Sequence, residues 1–376
     1  MDTMKSEHSP LSGFDEYPIH QIPEPLRILG TSDPRAYERY WFTAADREQD
    51  VLLVMGFGFY PNLGTADAFA ILVHDDTHTT VRAHRALEDD RTDIGTGPLR
   101  GEVIEPFREW RLTVSDNAQG LRVDIRWHDT KRAIFHRMGG AGMHTSHDGR
   151  PALPTAGYEG FGRIEGEVTI EGKTLPLSIG STRGSRDHHW GIRNGVGGPG
   201  HLQPQARGSH LGQWVEFSDW SIWGWRCLRN IGDAAHPGAE MVTPFSNKMR
   251  FDPQTNHLIG GVIQNRFSDG TVREITYEQI GHQVAYLRCG MYMGPDQNGT
   301  PEENWFQGTY GGGDAIRGER YDLSDPVIRQ RIAGFDDHLV LATCGDEQTI
   351  GLLECSNPVL YEMCRDGAPG FALLED

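Results

Sequence analysis

The sequence predicts an all-β protein built from two antiparallel β-barrel domains with a few short helices. Three observations predict it. Glycine (47) and proline (21) together make 68 of 376 residues, about 18%, against a usual ~12%, with no Gly-X-Y period or low-complexity block. The apolar residues fall in short runs bounded by turn residues, some alternating with period two, rather than recurring at helical spacing. These runs outnumber what one barrel of about eight strands can use, and at ~150 residues per domain a chain of 376 residues has room for two.

The elements follow in chain order. Residues 1–20 are polar and read as a flexible segment; lacking an apolar stretch, they are not expected to act as a secretory signal. Asp33-Pro34 has the form of an N-cap followed by proline at the first helical position, which predicts a short helix with Tyr37, Tyr40 and Trp41 on one side. Residues 51–59 (VLLVMGFGF) are apolar throughout, as in a strand covered on both faces. Strands are expected next at 68–73, 79–85, 109–114 and 121–128, the last two strictly alternating. Residues 162–170 and 174–179 form a hairpin across Glu171-Gly172-Lys173. In the second half, strands are expected at 213–217, 221–228, 241–251, 258–267, 271–279, 285–293, 306–311 and 316–323, with a hairpin turn at Ser268-Asp269-Gly270. A helix is expected over 325–334, with Pro326 in its first turn, and a last strand over 349–355 that stops before Asn357-Pro358. The glycine-rich stretch 195–208 is the best linker, which divides the chain into domains 21–195 and 196–376.

Composition excludes several classes of function. Lys plus Arg is 35 and Asp plus Glu is 53, a formal charge of −18. That sign argues against nucleic-acid binding and against a basic membrane-surface protein. No apolar run approaches the ~20 residues of a spanning helix, so stable membrane insertion is not expected. The five cysteines, Cys227, Cys289, Cys344, Cys355 and Cys364, include no CxxC pair. A disulfide framework or cysteine zinc site is therefore not expected, and a reduced cytoplasmic location is the simplest reading.

The densest chemistry lies in GSRDHHWGIR at 184–193. In a strand, His188 and Trp190 share one face, and Asp187 and His189 the other. A histidine with a carboxylate suits proton transfer near neutral pH; the same residues could equally form a structural Arg–Asp network closing a barrel end. A second cluster holds Trp214, Glu216, Phe217, Asp219, Trp220, Trp223 and Trp225. Trp214 and Glu216 share a face. A carboxylate desolvated between indoles has a raised pKa and suits a general acid, whereas an exposed hairpin rim is the plainer alternative. GFGFYPNLG at 56–64 lacks the GxGxxG spacing and following helix of a nucleotide loop, and reads as a strand turning at Tyr60-Pro61-Asn62. His144 and His147 could form half a metal site, but no HExxH motif or two-histidine, one-carboxylate set stands out, so neither metal nor other cofactor is expected. The absence of a GxSxG elbow disfavours a serine hydrolase.

Together, GFGFYPNLGTADAF at 56–69 and GSRDHHWGIR at 184–193 resemble the hydroxyneurosporene synthase group, which includes carotenoid 1,2-hydratases and AttH-like proteins. The resemblance spans roughly residues 20–360. It implies two lipocalin-like β-barrel domains with an apolar pocket at or near their junction. It also implies cofactor-free addition of water to an alkene, or pericyclic catalysis as in fungal relatives. His188 and Trp190 match the group's His-x-Trp pair. Its aromatic-x-Asp pair has two weaker counterparts here, Trp214-Val215-Glu216 and Phe217-Ser218-Asp219; neither has the group's tyrosine.

These readings converge on a cofactor-independent lyase or isomerase, of hydratase or dehydratase type, for a hydrophobic alkene-bearing molecule such as a terpenoid, steroid or aromatic catabolite. The expected catalytic residues are His188, Trp190, Glu216, Asp219 and Asp187; Tyr60, Asn62, Trp214, Trp223 and Trp225 are expected to bind substrate. A non-catalytic carrier of an apolar ligand and a shape-based pericyclase are the alternatives, and a homodimer is compatible with each.

Overall fold

The computed structural model describes residues 13–16, 18–131, 133–137, 155–193, 195–198, 211–224, 226–229, 239–290, 306–309 and 315–375. The first half holds β1 (Ala36–Asp46), β2 (Val51–Tyr60), β3 (Thr65–His74), β4 (Thr77–Ala86), β5 (Gly95–Thr96) and β6 (Leu99–Glu105). It continues with β7 (Glu109–Val114), β8 (Leu121–Asp129), β9 (Ile134–Arg137), β10 (Ala156–Ile170), β11 (Lys173–Leu177) and β12 (Arg183–Ile192). Then come β13 (Leu211–Glu216), β14 (Trp220–Gly224), β15 (Arg226–Arg229), β16 (Ala239–Met241), β17 (Thr243–Phe251), β18 (Leu258–Arg266) and β19 (Val272–Tyr286). The chain closes with β20 (Ala315–Asp322), α1 (Pro326–Ile332), β21 (Phe335–Cys344), β22 (Glu347–Ser356), α2 (Asn357–Arg365) and β23 (Phe371–Leu373).

The strands form two curled sheets of the lipocalin-like type. The first runs β20-β4-β3-β2-β1-β12-β10-β8-β7-β6-β5, with β9 and β11 alongside β10. The second runs β16-β15-β14-β13-β22-β21-β19-β18-β17-β23. Pairing is antiparallel except between β17 and β23. The first sheet curls until its ends approach: Arg85 Nε of β4 donates to the Gly95 carbonyl of β5 (2.8 Å), and Gln119 Nε2 in the β7–β8 turn donates to Gly318 of β20 (3.0 Å). β20 comes from the second half of the chain yet completes the first sheet, so the sheets do not divide the chain at one point. Among the described residues no helix is long and apolar enough to cross a membrane.

Three apolar layers result. Phe42, Phe57, Trp110 and Trp127 fill the inside of the first sheet. Val215, Trp220, Tyr277 and Leu353 fill the inside of the second. Between the sheets, Trp41, Phe161, Trp214, Leu339 and Leu352 form the core that joins them. Alternation divides each strand between two of these layers: Phe42 and Ala44 of β1 face the first interior, Trp41 and Ala45 the junction.

Several expectations are corrected. The helix expected after Asp33-Pro34 is strand β1. The Asp33 carboxylate receives the Arg35 amide (2.8 Å) in a turn, not a helical N-cap, and pairing with β2 and β12 outweighs the local helix signal. Of 306–311, residues 306–309 form a turn, closed by the Thr309 amide on the Phe306 carbonyl (3.0 Å). The expected strand 221–228 is two strands turning at Gly224, whose φ of +56 is left-handed. Strand β21 was not expected, its apolar run LVLA being preceded by two aspartates; nor was α2, which Asn357-Pro358 starts rather than precedes. Of the expected linker, 195–198 is described and is packed, with Val196 buried against Tyr37 and Tyr60.

Candidate active site

The junction between the sheets is built in layers, because strands from both sides present every second residue to it. Trp41, Glu159 and Asp187 are cross-strand neighbours on β1, β10 and β12. Asp337 and Glu354 are cross-strand neighbours on β21 and β22. Two residues along each strand, Thr43, Phe161 and Ser185 face Leu339, Leu352 and Trp214 across a narrow crevice of about 20 Å³. Period-two geometry therefore puts a buried cluster of acids and bases one pleat, ~7 Å, beyond the crevice wall.

Within the cluster, Arg39 Nη2 donates to Asp187 Oδ2 (2.9 Å). His189 lies between two carboxylates, Nδ1 at 3.3 Å from Asp187 Oδ2 and Nε2 at 3.1 Å from Glu159 Oε1. All four side chains are buried. Burial pushes the Asp187 carboxyl up, against the opposing pull of Arg39 and His189. Burial pushes the His189 imidazole down, but Asp187 and Glu159 more than reverse this and raise it. Asp337 is fully buried; burial, then the neighbouring Glu354, Asp336 and Asp187 carboxylates, push its pKa well above the usual range. Farther along the same face, Tyr60 donates to Asp67 (3.1 Å), and burial pushes Asp67 up to about 7.

Two glycines make room for the rings beside these groups. A Cβ at Gly157 would lie 2.1 Å from His189 Cδ2, so the imidazole lies flat over the strand. A Cβ at Gly212 would lie 1.9 Å from the Trp214 ring, which folds over Gly212 next to Glu354. The Trp41 and Trp214 ring centroids are 6.1 Å apart. The buried Asp187 Oδ1, Trp41 Nε1 and Trp223 Nε1 atoms have no hydrogen-bond partner among the described residues, an uncommon state in a packed interior.

The donor atoms of Glu159, Asp187 and His189 lie within 4.8 Å of one another, as do those of Asp50, His74 and Asp75. Both sets could hold a metal ion, yet each already faces a protein cation. Arg39 donates to Asp187, and Lys173 Nζ lies 3.0 Å from His74 Nε2 and 3.4 Å from Asp75.

The expected site residues distribute as follows. Asp187, Trp214, Trp223 and Glu216 face the junction, Trp223 as the cross-strand partner of Trp214. His188 and Trp190 face the interior of the first sheet, so they do not share a pocket with Glu216. There His188 Nε2 lies 2.9 Å from Glu38 Oε1, Nδ1 lies 3.2 Å from the Tyr158 hydroxyl, and Tyr40 stacks on the ring at 3.9 Å. Glu216 is buried, but among cations rather than indoles alone: Arg163 donates to Oε2 (2.5 Å), Thr130 to Oε1 (2.7 Å), and Lys131 lies at 3.5 Å. Asp219 is exposed in the β13–β14 turn, away from the crevice. Asn62 is exposed and binds the Thr31 and Asp33 carbonyls, tying a turn rather than lining a pocket. Tyr60 is buried beside Asp67. Trp225, His144 and His147 lie outside the described residues. Arg39, Glu159, His189, Asp337 and Glu354 were not singled out as site residues. His189 was placed on the correct face with Asp187, but the others come from strands distant in sequence, and only cross-strand register joins them.

A family model described as a family of unknown function (DUF8625) matches residues 11–223, more than half of the chain. No curated protein matches in sequence. The crystal structure of an AttH-like protein from Nitrosomonas europaea aligns with a TM-score of 0.51 at 12% identity, covering 91% of this chain and 98% of that one. Kievitone hydratase from Nectria haematococca aligns at 0.47 and 11% identity (88% and 93% covered), and CghA at 0.42 and 9% (86% and 87%). At these identities the likeness is one of fold: the AttH-like, double lipocalin-like architecture.

Proposed function

The chain belongs to DUF8625, a family of unknown function, and from its site we propose that it is a cofactor-independent lyase or isomerase moving protons on a small hydrophobic alkene. The observation that carries this reading is Asp337, a buried acid whose pKa is raised by burial and by Glu354, one pleat from a crevice walled by Phe161, Trp214, Leu339 and Leu352. Such an acid keeps its proton toward neutral pH and can deliver it to carbon. The Trp41 and Trp214 rings stand where a developing carbocation gains cation–π stabilisation. The Asp187–His189–Glu159 set accepts a proton in return. In hydration, Asp337 gives its proton to one alkene carbon, water bonds to the other, and the proton released by that water passes to the base set. Isomerisation replaces water capture with loss of an allylic proton.

The crevice, about 20 Å³ when closed, holds little more than one water; a small terpenoid, which displaces its walls least, suits it better than a long polyene. The test follows deuterium from D2O into limonene and geraniol by mass spectrometry. The wild-type protein is expected to incorporate it, and Asp337→Asn to slow incorporation ~10²–10⁴-fold, the usual contribution of a general acid. Undiminished incorporation in both Asp337→Asn and Asp187→Asn would sink the reading.

A further inference from the structure

The opposite face of the first sheet carries a second set of groups that the proposed reaction does not use. Phe107 sits in the three-residue loop between β6 and β7 with φ +59, a left-handed conformation that bulky side chains rarely adopt and tight hairpin loops usually give to glycine or asparagine. The other described non-glycine residues at positive φ are Asp50, Asp75, Asp76, Glu171 and Asn256; Phe107 is the one aromatic among them. The strain is not repaid by burial, because Phe107 remains 53% exposed. Its ring instead stands 5.3 Å from that of Tyr158. Phe135, also 53% exposed, stands 6.1 Å from Trp190, and Trp190 is 6.5 Å from Tyr158.

Behind these four rings lies a hydrogen-bonded relay. The Tyr158 hydroxyl contacts His188 Nδ1 (3.2 Å) and Arg186 Nη1 (3.3 Å), and His188 Nε2 contacts Glu38 (2.9 Å). Burial pushes the Glu38 carboxyl up, but the His188 hydrogen bond and charge, with Arg91, more than offset this and leave it lowered. An exposed aromatic surface backed by an oriented imidazole and a hydroxyl is equipped to stack a flat ring and hydrogen-bond an oxygen at its edge.

We propose that Phe107, Phe135, Trp190 and Tyr158 form a second ligand site, at the rim of the first sheet, for a planar aromatic molecule bearing a hydroxyl or carbonyl oxygen, which the Tyr158–His188 pair receives. The site is independent of the crevice: it lies on the other face of the sheet and shares no residue with it.

The test is calorimetric titration of the full chain with 2-naphthol, with naphthalene as the ligand lacking oxygen. Saturable 1:1 binding of 2-naphthol is expected. Phe107→Gly should weaken it about tenfold by removing one aromatic wall, and should raise Tm by ~1–2 °C because glycine relieves the left-handed backbone. Tyr158→Phe should weaken 2-naphthol but leave naphthalene unchanged. Trp214→Ala, in the crevice, should leave both unchanged. The proposal is overturned by absence of saturable binding, by affinity unaffected in Phe107→Gly, by loss of binding in Trp214→Ala instead, or by a lower Tm in Phe107→Gly, which would make the ring a structural plug.

Discussion

Two of the junction's rings are held where they are by what is missing beneath them. His189 can lie against β10 because residue 157 has no side chain, and Gly157→Ala would put a methyl 2.1 Å from the imidazole and 2.3 Å from the His188 carbonyl. Neither atom is the free end of a flexible chain, so the strand or the ring must move. Gly157→Ala is expected to cost about 1–3 kcal/mol, as overpacking does, read as a lower urea midpoint at unchanged slope. Turnover should fall further than stability explains, since a displaced His189 loses its place between Asp187 and Glu159. Equal urea midpoints for Gly157→Ala and wild type would refute the packing account.

Asn357 shows the same economy at the scale of elements. It begins α2, and its side chain ties that helix to two strands. Nδ2 donates to Asp336 (2.7 Å) and meets His338 Nε2 (2.9 Å) on β21, while Oδ1 receives the Leu258 amide of β18 (2.8 Å). Asn357→Ala leaves three buried groups without that partner, and a loss of at least ~2 kcal/mol is expected. Asn357→Ala within 0.5 kcal/mol of wild type, by the same denaturation, would show that the contacts are replaceable. Strands such as 109–114 and 121–128 were legible in the sequence because each alternates strictly and turns sharply at both ends. β1 was misread because the Asp33-Pro34 signal is local, whereas the β2 and β12 partners that fix its conformation are not. The candidate site was half legible for a related reason. Alternation placed Asp187 opposite His188 correctly, but which charged groups share a layer depends on register between strands about 150 residues apart, such as β1 with β12. No short pattern records that register.

For the molecule as a whole, buried titratable groups of opposite kinds govern the response to pH. Burial lowers His78 to about 3, His257 to about 4 and His338 to about 3. The unfolded chain therefore takes up protons that the folded one refuses, and this stability is lost as pH falls from ~6.5 through ~4. Burial raises Asp67 and Asp336 to about 7 and Asp337 well above its usual range, while Asp187 and Glu159 raise His189 against the opposing effect of its burial. Their contribution is complete below their unfolded pKa values and is lost as pH rises through the folded ones. The two sets oppose each other between about pH 4 and 6.5, where Tm is expected to be flattest. Above about pH 6.5 only the second set acts, so Tm should decline as pH rises through ~7 and Asp67 and Asp336 ionise, and Asp67→Asn should flatten that limb; a limb of wild-type steepness in Asp67→Asn would assign the decline elsewhere. The placement of β20 has a further consequence, for synthesis. β4 is made early, but the strand that covers its edge emerges only after 315 residues or more have been translated. Until then the nascent first sheet presents a row of unsatisfied amides and carbonyls, the geometry by which unrelated strands add to one another. A polypeptide released before residue 315 should therefore clump rather than persist as a stable half, and the late return of one strand acts as the step at which the whole chain commits to its native form.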